Sequence, residues 1–326
     1  MKKLFILFIA ASLLIFSACS EEIADSMEYS HDVQEINAEI EAQAEEANHD
    51  IDETERPSEI TEILNAIYKT FDDGTPSLKF DIFFPTIEKF EKTPLVVGFH
   101  GGGWLAGNKS QIIQAFAPVI DELRANGYAV ATVEYRLADG EIIFPAPFED
   151  CVDFILGIRK RAVQYNIDPE NIGVLGYSAG AHLAMLCAYA ADLDIRYCLS
   201  FAGPTKLYGD DPANYPSSTM MLVENLFGGS YAEREELYRL GSPYFYLDRG
   251  EHKTPLLLAH DRTDATVPFS QSEMMFEKAV SAGIESEFIE LRGVAHDIEF
   301  VTNRMAERET VMQTILNFIY KFYKNY

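Results

Sequence analysis

Basic residues are scarce in this chain of 326 residues: 26 Lys and Arg side chains stand against 52 Asp and Glu, and the formal net charge is −26 at pH 7. A nucleic-acid-binding protein needs a basic face to displace counterions from phosphates, so this composition disfavours that class. Apolar residues are plentiful, at 48%, and aromatic residues reach 12%. Such a composition excludes a wholly disordered chain and predicts one large domain or two ordinary ones.

Cysteine is also sparse, with four residues in the whole chain. None of them lies in a CxxC or Cys/His spacing typical of a zinc site, so the sequence predicts no zinc site. Apart from Cys19, the cysteines number three, so at least one stays free even in an oxidising compartment. Cys151 and Cys187 lie within apolar helical patterns, which predicts free and buried thiols.

The apolar run near the N-terminus is too short to span a bilayer. It covers fifteen residues, Leu4–Ala18, after the basic start Met1-Lys2-Lys3, whereas a membrane span needs ~20. This pattern is typical of a secretory signal. Residues 16–19 (FSAC) resemble a bacterial lipobox, which implies a signal peptide over 1–18 and lipidation of Cys19. An ordinary cleaved signal with an incidental cysteine is the alternative.

Residues 20–56 lack Gly and Pro and contain fourteen acidic residues but a single basic one, Arg56. Like charges repel and extend a chain, so we predict an acidic tether over 19–56 that holds the protein off a membrane. A frayed helix is the alternative, because Val33, Ile36 and Ile40 have helical spacing. The expected location is the cell envelope outside the cytoplasm, at the outer membrane or cell surface.

From Ile60 onward the hydrophobic pattern alternates between strand and helix periods. Strands are predicted at 78–84, 95–99, 128–135, 172–176, 197–201, 256–259 and 287–291. Helices are predicted at 111–123, 148–164, 179–191, 270–281 and about 304–326. This alternation predicts an α/β domain over 57–326, with a mostly parallel sheet and helices on both faces. Residues 204–253 are too long for a simple crossover and are predicted to form a small helical cap.

The pentapeptide Gly176–Gly180 (GYSAG) follows a predicted strand and opens a predicted helix. In this Gly-x-Ser-x-Gly pattern the chain turns sharply at the serine, so its neighbours two residues away must lack bulk. The turn exposes the Ser178 hydroxyl and directs the N–H groups of the next helix toward a substrate oxygen. Close packing of a helix on a strand is the alternative reason for small residues here.

The glycine-rich segment His100–Trp104 (HGGGW) directly follows a buried strand. Acyl transfer passes through a tetrahedral oxyanion that needs hydrogen-bond donors. The N–H groups of Gly102, Gly103 and Ala179 are the candidate donors of this oxyanion hole, and a glycine-rich turn without a function is the alternative. His100 is predicted to brace the loop. Trp104 is predicted to lie either in the core or in a pocket wall.

A nucleophilic serine needs a general base, and the base needs an orienting acid. Among seven histidines, His296 lies beyond the last predicted strand and before the last helix. Two carboxylates follow the strand before it: Asp264 lies farther into the loop, whereas Asp261 ends the strand and is predicted to brace the turn. The order Ser178, Asp264, His296 is the order of nucleophile, acid and histidine in α/β-hydrolases.

Taken together, several motifs resemble those of the hormone-sensitive-lipase-like and acetyl/feruloyl-esterase-like (BD-FAE-like) branch of the α/β-hydrolases. They are His100–Trp104, 134–137 (EYRL), Asp168-Pro169, Gly176–Gly180 with His182-Leu183, Asp264 with Val267-Pro268, and His296. The resemblance extends from about residue 75 to the C-terminus. It implies an α/β-hydrolase fold and ester hydrolysis by acylation and deacylation, without metal or cofactor. Ser178 would be the nucleophile, His296 the base, Asp264 the acid, and Gly102, Gly103 and Ala179 the oxyanion hole.

Three positions depart from the family pattern. Asp261 follows His260 and Asp297 follows His296, where the family has His-Gly in both places. Ala181 replaces the second Gly that follows the turn at the nucleophile. They affect the shape of loops and therefore the fit of the substrate. The sequence predicts a carboxylic-ester hydrolase for short acyl groups, with acetylated or feruloylated polysaccharide as candidate substrates. The alternatives are a peptidase or formamidase of the same fold, and a non-catalytic binding lipoprotein of the envelope.

Overall fold

An eight-stranded sheet organises the computed structural model, which describes residues 60–208, 215–247, 253–297 and 308–323. The strands are Glu62–Lys69 (β1), Leu78–Phe83 (β2), Thr93–Phe99 (β3), Ala129–Val133 (β4), Ile167–Tyr177 (β5), Cys198–Phe201 (β6), Leu256–Asp261 (β7) and Ser286–Leu291 (β8). Their order across the sheet is β1-β2-β4-β3-β5-β6-β7-β8. The pairs β1/β2 and β2/β4 are antiparallel, and all other pairs are parallel.

Helices connect the parallel strands and cover the sheet. They are Ser110–Ala125 (α1), Ala146–Lys160 (α2), Ala162–Tyr165 (α3), Ala179–Tyr189 (α4), Ser217–Phe227 (α5), Tyr231–Leu240 (α6), Pro243–Tyr246 (α7), Ser270–Ser281 (α8) and Arg308–Lys321 (α9). Helices α1 and α9 pack on one face of the sheet, and α2 and α4 pack against each other on the opposite face. Every residue of β3 and β4 is buried, as expected for strands covered on both faces.

The apolar stripe predicted for the first helix is the buried side of α1. Its buried residues include Ile112, Phe116, Val119 and Leu123, which join strand residues in one apolar cluster. Cys151, Cys187 and Cys198 are buried and free. Burial raises the pKa of the Cys151 and Cys198 thiols. These thiols therefore belong to the core.

Three element predictions differ from the structure. Strand β1 was not predicted, β5 begins five residues earlier than expected, and the helix predicted over 148–164 is divided at Arg161. Two register shifts against β2 and a positive φ at Asn65 interrupt the alternation of β1. At the start of β5, Asp168 accepts hydrogen bonds from the Glu170 N–H and the Asn171 amide, so a polar segment that resembles a turn lies in the sheet.

The described part of the predicted cap contains α5, α6 and α7. Helix α5 reaches the loops at the carboxyl end of the sheet: Thr219 donates to the Thr266 carbonyl, and Asn225 donates to the Ala138 carbonyl. The predicted signal peptide, Cys19 and the acidic tether lie outside the described residues. No helix within the described ranges is long and apolar enough to cross a membrane.

Candidate active site

Ser178 occupies the sharp turn between β5 and α4, with φ 53° and ψ −120°. Its flanking glycines are required because backbones approach closely at this turn. A Cβ on Gly176 would lie 2.1 Å from the Gly180 carbonyl oxygen, and a Cβ on Gly180 would lie 2.0 Å from the Phe99 carbonyl oxygen. The two glycines therefore let β5, α4 and the end of β3 meet at the serine.

His296 connects Ser178 to Asp264, although it is 118 residues away from the serine in the chain. Its Nε2 lies 3.0 Å from Ser178 Oγ, and its Nδ1 lies 2.6 Å from Asp264 Oδ2. The structure thus brings the three predicted residues into one hydrogen-bonded chain. In this arrangement Nδ1–H donates to the carboxylate, and Nε2 can accept the proton of the serine hydroxyl.

The carboxylate of Asp264 is buried and accepts four hydrogen bonds. Oδ1 accepts from the backbone N–H groups of Thr266 and Val267, and Oδ2 accepts from His296 and His260. Burial acts to raise the pKa of Asp264, but the hydrogen bonds from His260 and His296 outweigh burial and lower it. The group therefore stays ionised and can stabilise a positive charge on His296.

His260 is a site residue that the sequence argument missed. Its Nε2 lies 3.1 Å from both Asp264 Oδ2 and the Val267 carbonyl oxygen, and its Nδ1 lies 2.8 Å from Ser272 Oγ. Because both partners of Nε2 are acceptors, Nε2–H donates to them, and Nδ1 faces the Ser272 hydroxyl. The available signal was a histidine at a strand end, four residues before the candidate acid.

Asp261 differs from Asp264 in its hydrogen-bond partners. Oδ1 accepts from the N–H and hydroxyl of Thr263, both at 2.7 Å, and Oδ2 accepts from the N–H groups of Val294 (2.6 Å) and Ala295 (3.0 Å). Burial acts to raise its pKa, but these hydrogen bonds lower it. Asp261 thus ties the turn after β7 to the segment that leads into His296.

The predicted oxyanion loop has a backbone that only glycine adopts easily. Gly102 and Gly103 have φ values of 113° and 59°, and a Cβ on Gly102 would lie 2.0 Å from the Ala106 carbonyl oxygen. Within the described residues, no acceptor pairs with the N–H groups of Gly102, Gly103 or Ala179. These three donors are therefore available to an oxygen of a bound substrate.

Trp104 is a core residue, with 2% of its surface exposed. Its indole N–H donates to His182 Nδ1 at 3.2 Å, and His182 Nε2 donates to the Gly241 carbonyl oxygen at 2.5 Å. Burial lowers the pKa of His182 to about 4, so the ring is neutral and can accept from Trp104. This chain of hydrogen bonds fixes the oxyanion loop to the helix that begins at the nucleophile.

His100 braces the start of the same loop. Its ring stacks on Tyr135 at 4.3 Å, and its Nδ1 lies 2.7 Å from the Gly101 carbonyl oxygen. The Tyr135 hydroxyl donates to the His100 carbonyl oxygen at 2.8 Å. Burial lowers the pKa of His100 to about 4. These contacts give His100 no direct path to Ser178, so they fit a bracing role.

The mostly parallel sheet, with helices on both faces and a serine turn after its central strand β5, places the protein among the α/β-hydrolases. A truncated carbohydrate esterase from gut microbiota has the same fold: its structure is 21% identical, has a TM-score of 0.65, and matches 81% of this chain and 99% of that chain. The fold class predicted from the sequence is confirmed.

A family model identifies the particular branch. The model of the BD-FAE family matches residues 80–279, and the chain belongs to that family. Similar curated proteins include a non-reducing polyketide synthase (atr1) of Stereocaulon alpinum, 26% identical over 70% of this chain and 12% of the synthase. Esterase LipQ of Mycobacterium tuberculosis is 24% identical over 61% of this chain and 48% of the esterase. The chain spans about half or less of the length of the curated relatives it matches.

Proposed function

We propose that the protein is a serine carboxylic-ester hydrolase that acts on short acyl esters by acylation and deacylation. The observation that carries the proposal is the continuous hydrogen-bonded chain from Ser178 Oγ through His296 to Asp264, with distances of 3.0 and 2.6 Å. Relatives named as esterases support the same reaction type. The nearby N–H donors of the glycine loop support acyl chemistry, because a tetrahedral oxyanion needs them.

In the proposed mechanism, Ser178 Oγ attacks the ester carbonyl carbon while its proton passes to His296 Nε2. The carbonyl oxygen becomes an oxyanion and accepts hydrogen bonds from the N–H groups of Gly102, Gly103 and Ala179. His296 then donates the proton to the leaving alkoxide, and the acyl group remains on Ser178. A water molecule, deprotonated by His296, attacks the acyl-enzyme and releases the acid. Throughout the cycle Asp264 orients His296 and stabilises its positive charge.

The proposed preference for short acyl groups rests on the position of the cap. A Cβ on Gly103 would lie 2.6 Å from Leu222 Cδ1, so the side chain of Leu222 on α5 is in contact with the oxyanion loop. Thr219 of the same helix is hydrogen-bonded to the loop that carries Asp264. Acetyl groups on polysaccharide are the proposed natural acyl groups, because they fit this preference and the larger feruloyl group does not. The named carbohydrate esterase of the same fold supports the choice of a polysaccharide.

The test is hydrolysis of p-nitrophenyl esters across acyl lengths by the purified protein and its Ser178→Ala variant. We expect activity on the acetate that decreases with chain length, and a loss of several orders of magnitude in the variant with an unchanged circular dichroism spectrum. Near wild-type turnover in Ser178→Ala would remove that residue from the mechanism. Inactivity on every ester, combined with cleavage of an aryl amide or formamide, would favour the peptidase or formamidase alternative.

We also propose that the chain is anchored by lipid at Cys19, with residues 19–56 as a spacer, outside the cytoplasm. The basic start, the apolar run and the small residues before Cys19 support this proposal. Membrane fractionation and intact mass of the wild type and Cys19→Ser test it. The wild type is expected in the membrane fraction with the added mass of lipid. A Cys19→Ser variant that remains in the membrane fraction, with the same mass shift as the wild type, would refute the anchor.

A further inference from the structure

One oxygen of the Asp264 carboxylate is shared by two histidines. His296 Nδ1 lies 2.6 Å from Asp264 Oδ2, and His260 Nε2 lies 3.1 Å from the same atom. His296 comes from the segment after β8, whereas His260 belongs to β7. With the two backbone N–H groups on Oδ1, these rings fill the four lone-pair sites of the carboxylate. The carboxylate therefore cannot turn without losing a hydrogen bond.

His260 is itself held in place by its surroundings. Its side chain is fully buried, its Nδ1 lies 2.8 Å from Ser272 Oγ, and the centroid of the Phe269 ring lies 5.6 Å away. Its Nε2–H is shared between Asp264 Oδ2 and the Val267 carbonyl oxygen. Val267 in turn donates its N–H to Asp264 Oδ1 at 2.9 Å. The ring thus joins α8, the loop after β7 and the carboxylate.

The second donor changes what the carboxylate offers to the catalytic base. His296 carries a positive charge while it holds the serine proton, and Asp264 Oδ2 stabilises that charge. A hydrogen bond from His260 to the same oxygen withdraws part of its negative charge. Burial acts to raise the pKa of Asp264, and the hydrogen bond from His260 is the largest of the contacts that lower it. Without this donor, His296 would hold its proton more strongly.

We propose that His260 is a positioning residue of the triad. Its Nε2–H holds Asp264 Oδ2 in line with His296 Nδ1 and limits the negative charge that this oxygen presents to His296. The proposal rests on the proposed ester hydrolysis, because it concerns the same proton transfers. A cavity of about 450 Å³ borders His296, and His260 is not among the described residues that line it. His260 therefore acts through Asp264 and leaves substrate binding unchanged.

Other titratable or charged groups near the two rings are Tyr177, Asp261, Arg262, Glu290 and Asp297. Burial raises the pKa of Tyr177, and the hydrogen bond from Arg262 lowers that of Glu290. Hydrogen bonds that outweigh burial lower the pKa of Asp261. These three groups therefore do not titrate near neutral pH. Asp297 follows His296 in every variant, so its effect cancels in a comparison between variants.

The experiment measures kcat and KM for p-nitrophenyl acetate between about pH 5 and pH 9 in the wild type, His260→Asn and His260→Gln. The amide nitrogen of Gln reaches about as far as Nε2, whereas that of Asn reaches only as far as Nδ1. In His260→Asn we expect kcat to fall about tenfold and KM to change by less than about twofold. The acid-side midpoint of the kcat/KM profile should rise by about half a pH unit. His260→Gln should restore that midpoint.

Thr205→Val is the control, because it removes another buried hydrogen bond to α8. The Thr205 hydroxyl donates at 2.8 Å to the carbonyl oxygen of Gln271, the residue before Ser272. This variant should lower the free energy of unfolding in urea and leave the midpoint unchanged. A wild-type midpoint in His260→Asn, or an equal displacement in His260→Gln, would overturn the positioning role while ester hydrolysis stands. His260→Leu replaces His260→Asn if the latter does not fold.

If the wild type hydrolyses no ester, the proposed function fails, and proton NMR decides the role of His260 instead. The Nδ1–H proton of His296 is observed in the wild type and in His260→Asn. Since loss of the second donor strengthens the hydrogen bond from His296 to Asp264, its resonance should move downfield in the variant. An unchanged resonance would overturn the proposal.

Discussion

Replacing Asp264 by Asn exchanges one carboxylate oxygen for an NH2 group, and the structure fixes which one. The N–H groups of Thr266 and Val267, at 2.8 and 2.9 Å, hold an acceptor at the Oδ1 position, so the NH2 group of the variant must face His296. A donor there forces His296 to present an unprotonated Nδ1 and to carry its proton on Nε2, which faces Ser178. A protonated Nε2 cannot accept the serine proton.

The expected loss is about 10⁴-fold in kcat, the cost of the wrong histidine tautomer in a triad of this type. That factor corresponds to about 5.5 kcal/mol of transition-state stabilisation. The free energy of unfolding should fall by only about 1–3 kcal/mol, because the backbone contacts to the remaining oxygen persist and only charge-assisted bonds at Oδ2 are lost. The variant is therefore expected to be folded but nearly inactive.

Asp261→Asn is the matched control, because Asp261 is also buried and lies three residues away. Its carboxylate contacts Thr263 and the N–H groups of Val294 and Ala295 but does not contact the His296 ring. We expect a lower free energy of unfolding and a loss of kcat of about tenfold or less. The assay is kcat on p-nitrophenyl acetate, normalised to the folded fraction from circular dichroism. A greater loss of kcat in Asp261→Asn than in Asp264→Asn would refute the assignment of the acid.

Two further predictions concern the structure around the site. Gly180→Ala should abolish soluble, active protein, because its Cβ would lie 2.0 Å from a backbone oxygen. In contrast, Gly157→Ala in α2, where a Cβ meets nothing within 4 Å, should raise the free energy of unfolding in urea by up to about 1 kcal/mol. An active Gly180→Ala variant would contradict the packing argument. Below pH ~6.5 the unfolded chain protonates His100 and His182 while the folded protein, with their pKa values lowered to about 4 by burial, does not. The free energy of unfolding should therefore decrease as the pH drops from 6.5 to 4, by up to about 1.4 kcal/mol per pH unit per histidine. In urea unfolding, His182→Gln should show a smaller dependence on pH than the wild type. An identical dependence in the variant would contradict this prediction.

The sequence determined the features that depend on local patterns. Short apolar runs, one alternating segment and apolar residues at helical spacing located seven of the eight strands of the described sheet and the main helices. Strands that are covered on both faces are apolar throughout, whereas a helix on the sheet buries one side only. The pentapeptide around Ser178 identified the strained turn, since close contacts at Gly176 and Gly180 exclude any side chain. Strand β1 was not predicted, because its register shifts interrupt the alternation of buried and exposed residues.

Long-range packing distinguishes residues that are alike in sequence. Asp261 ends β7 and Asp264 lies in the loop that follows, and both are acidic. Their roles differ because His296, 32 residues beyond Asp264 in the chain, contacts only Asp264. The same long-range packing places His260 against the Asp264 carboxylate and Trp104 in the core. Hydrogen bonds between residues distant in the chain depend on how the strands are ordered in space, and no local pattern encodes that order.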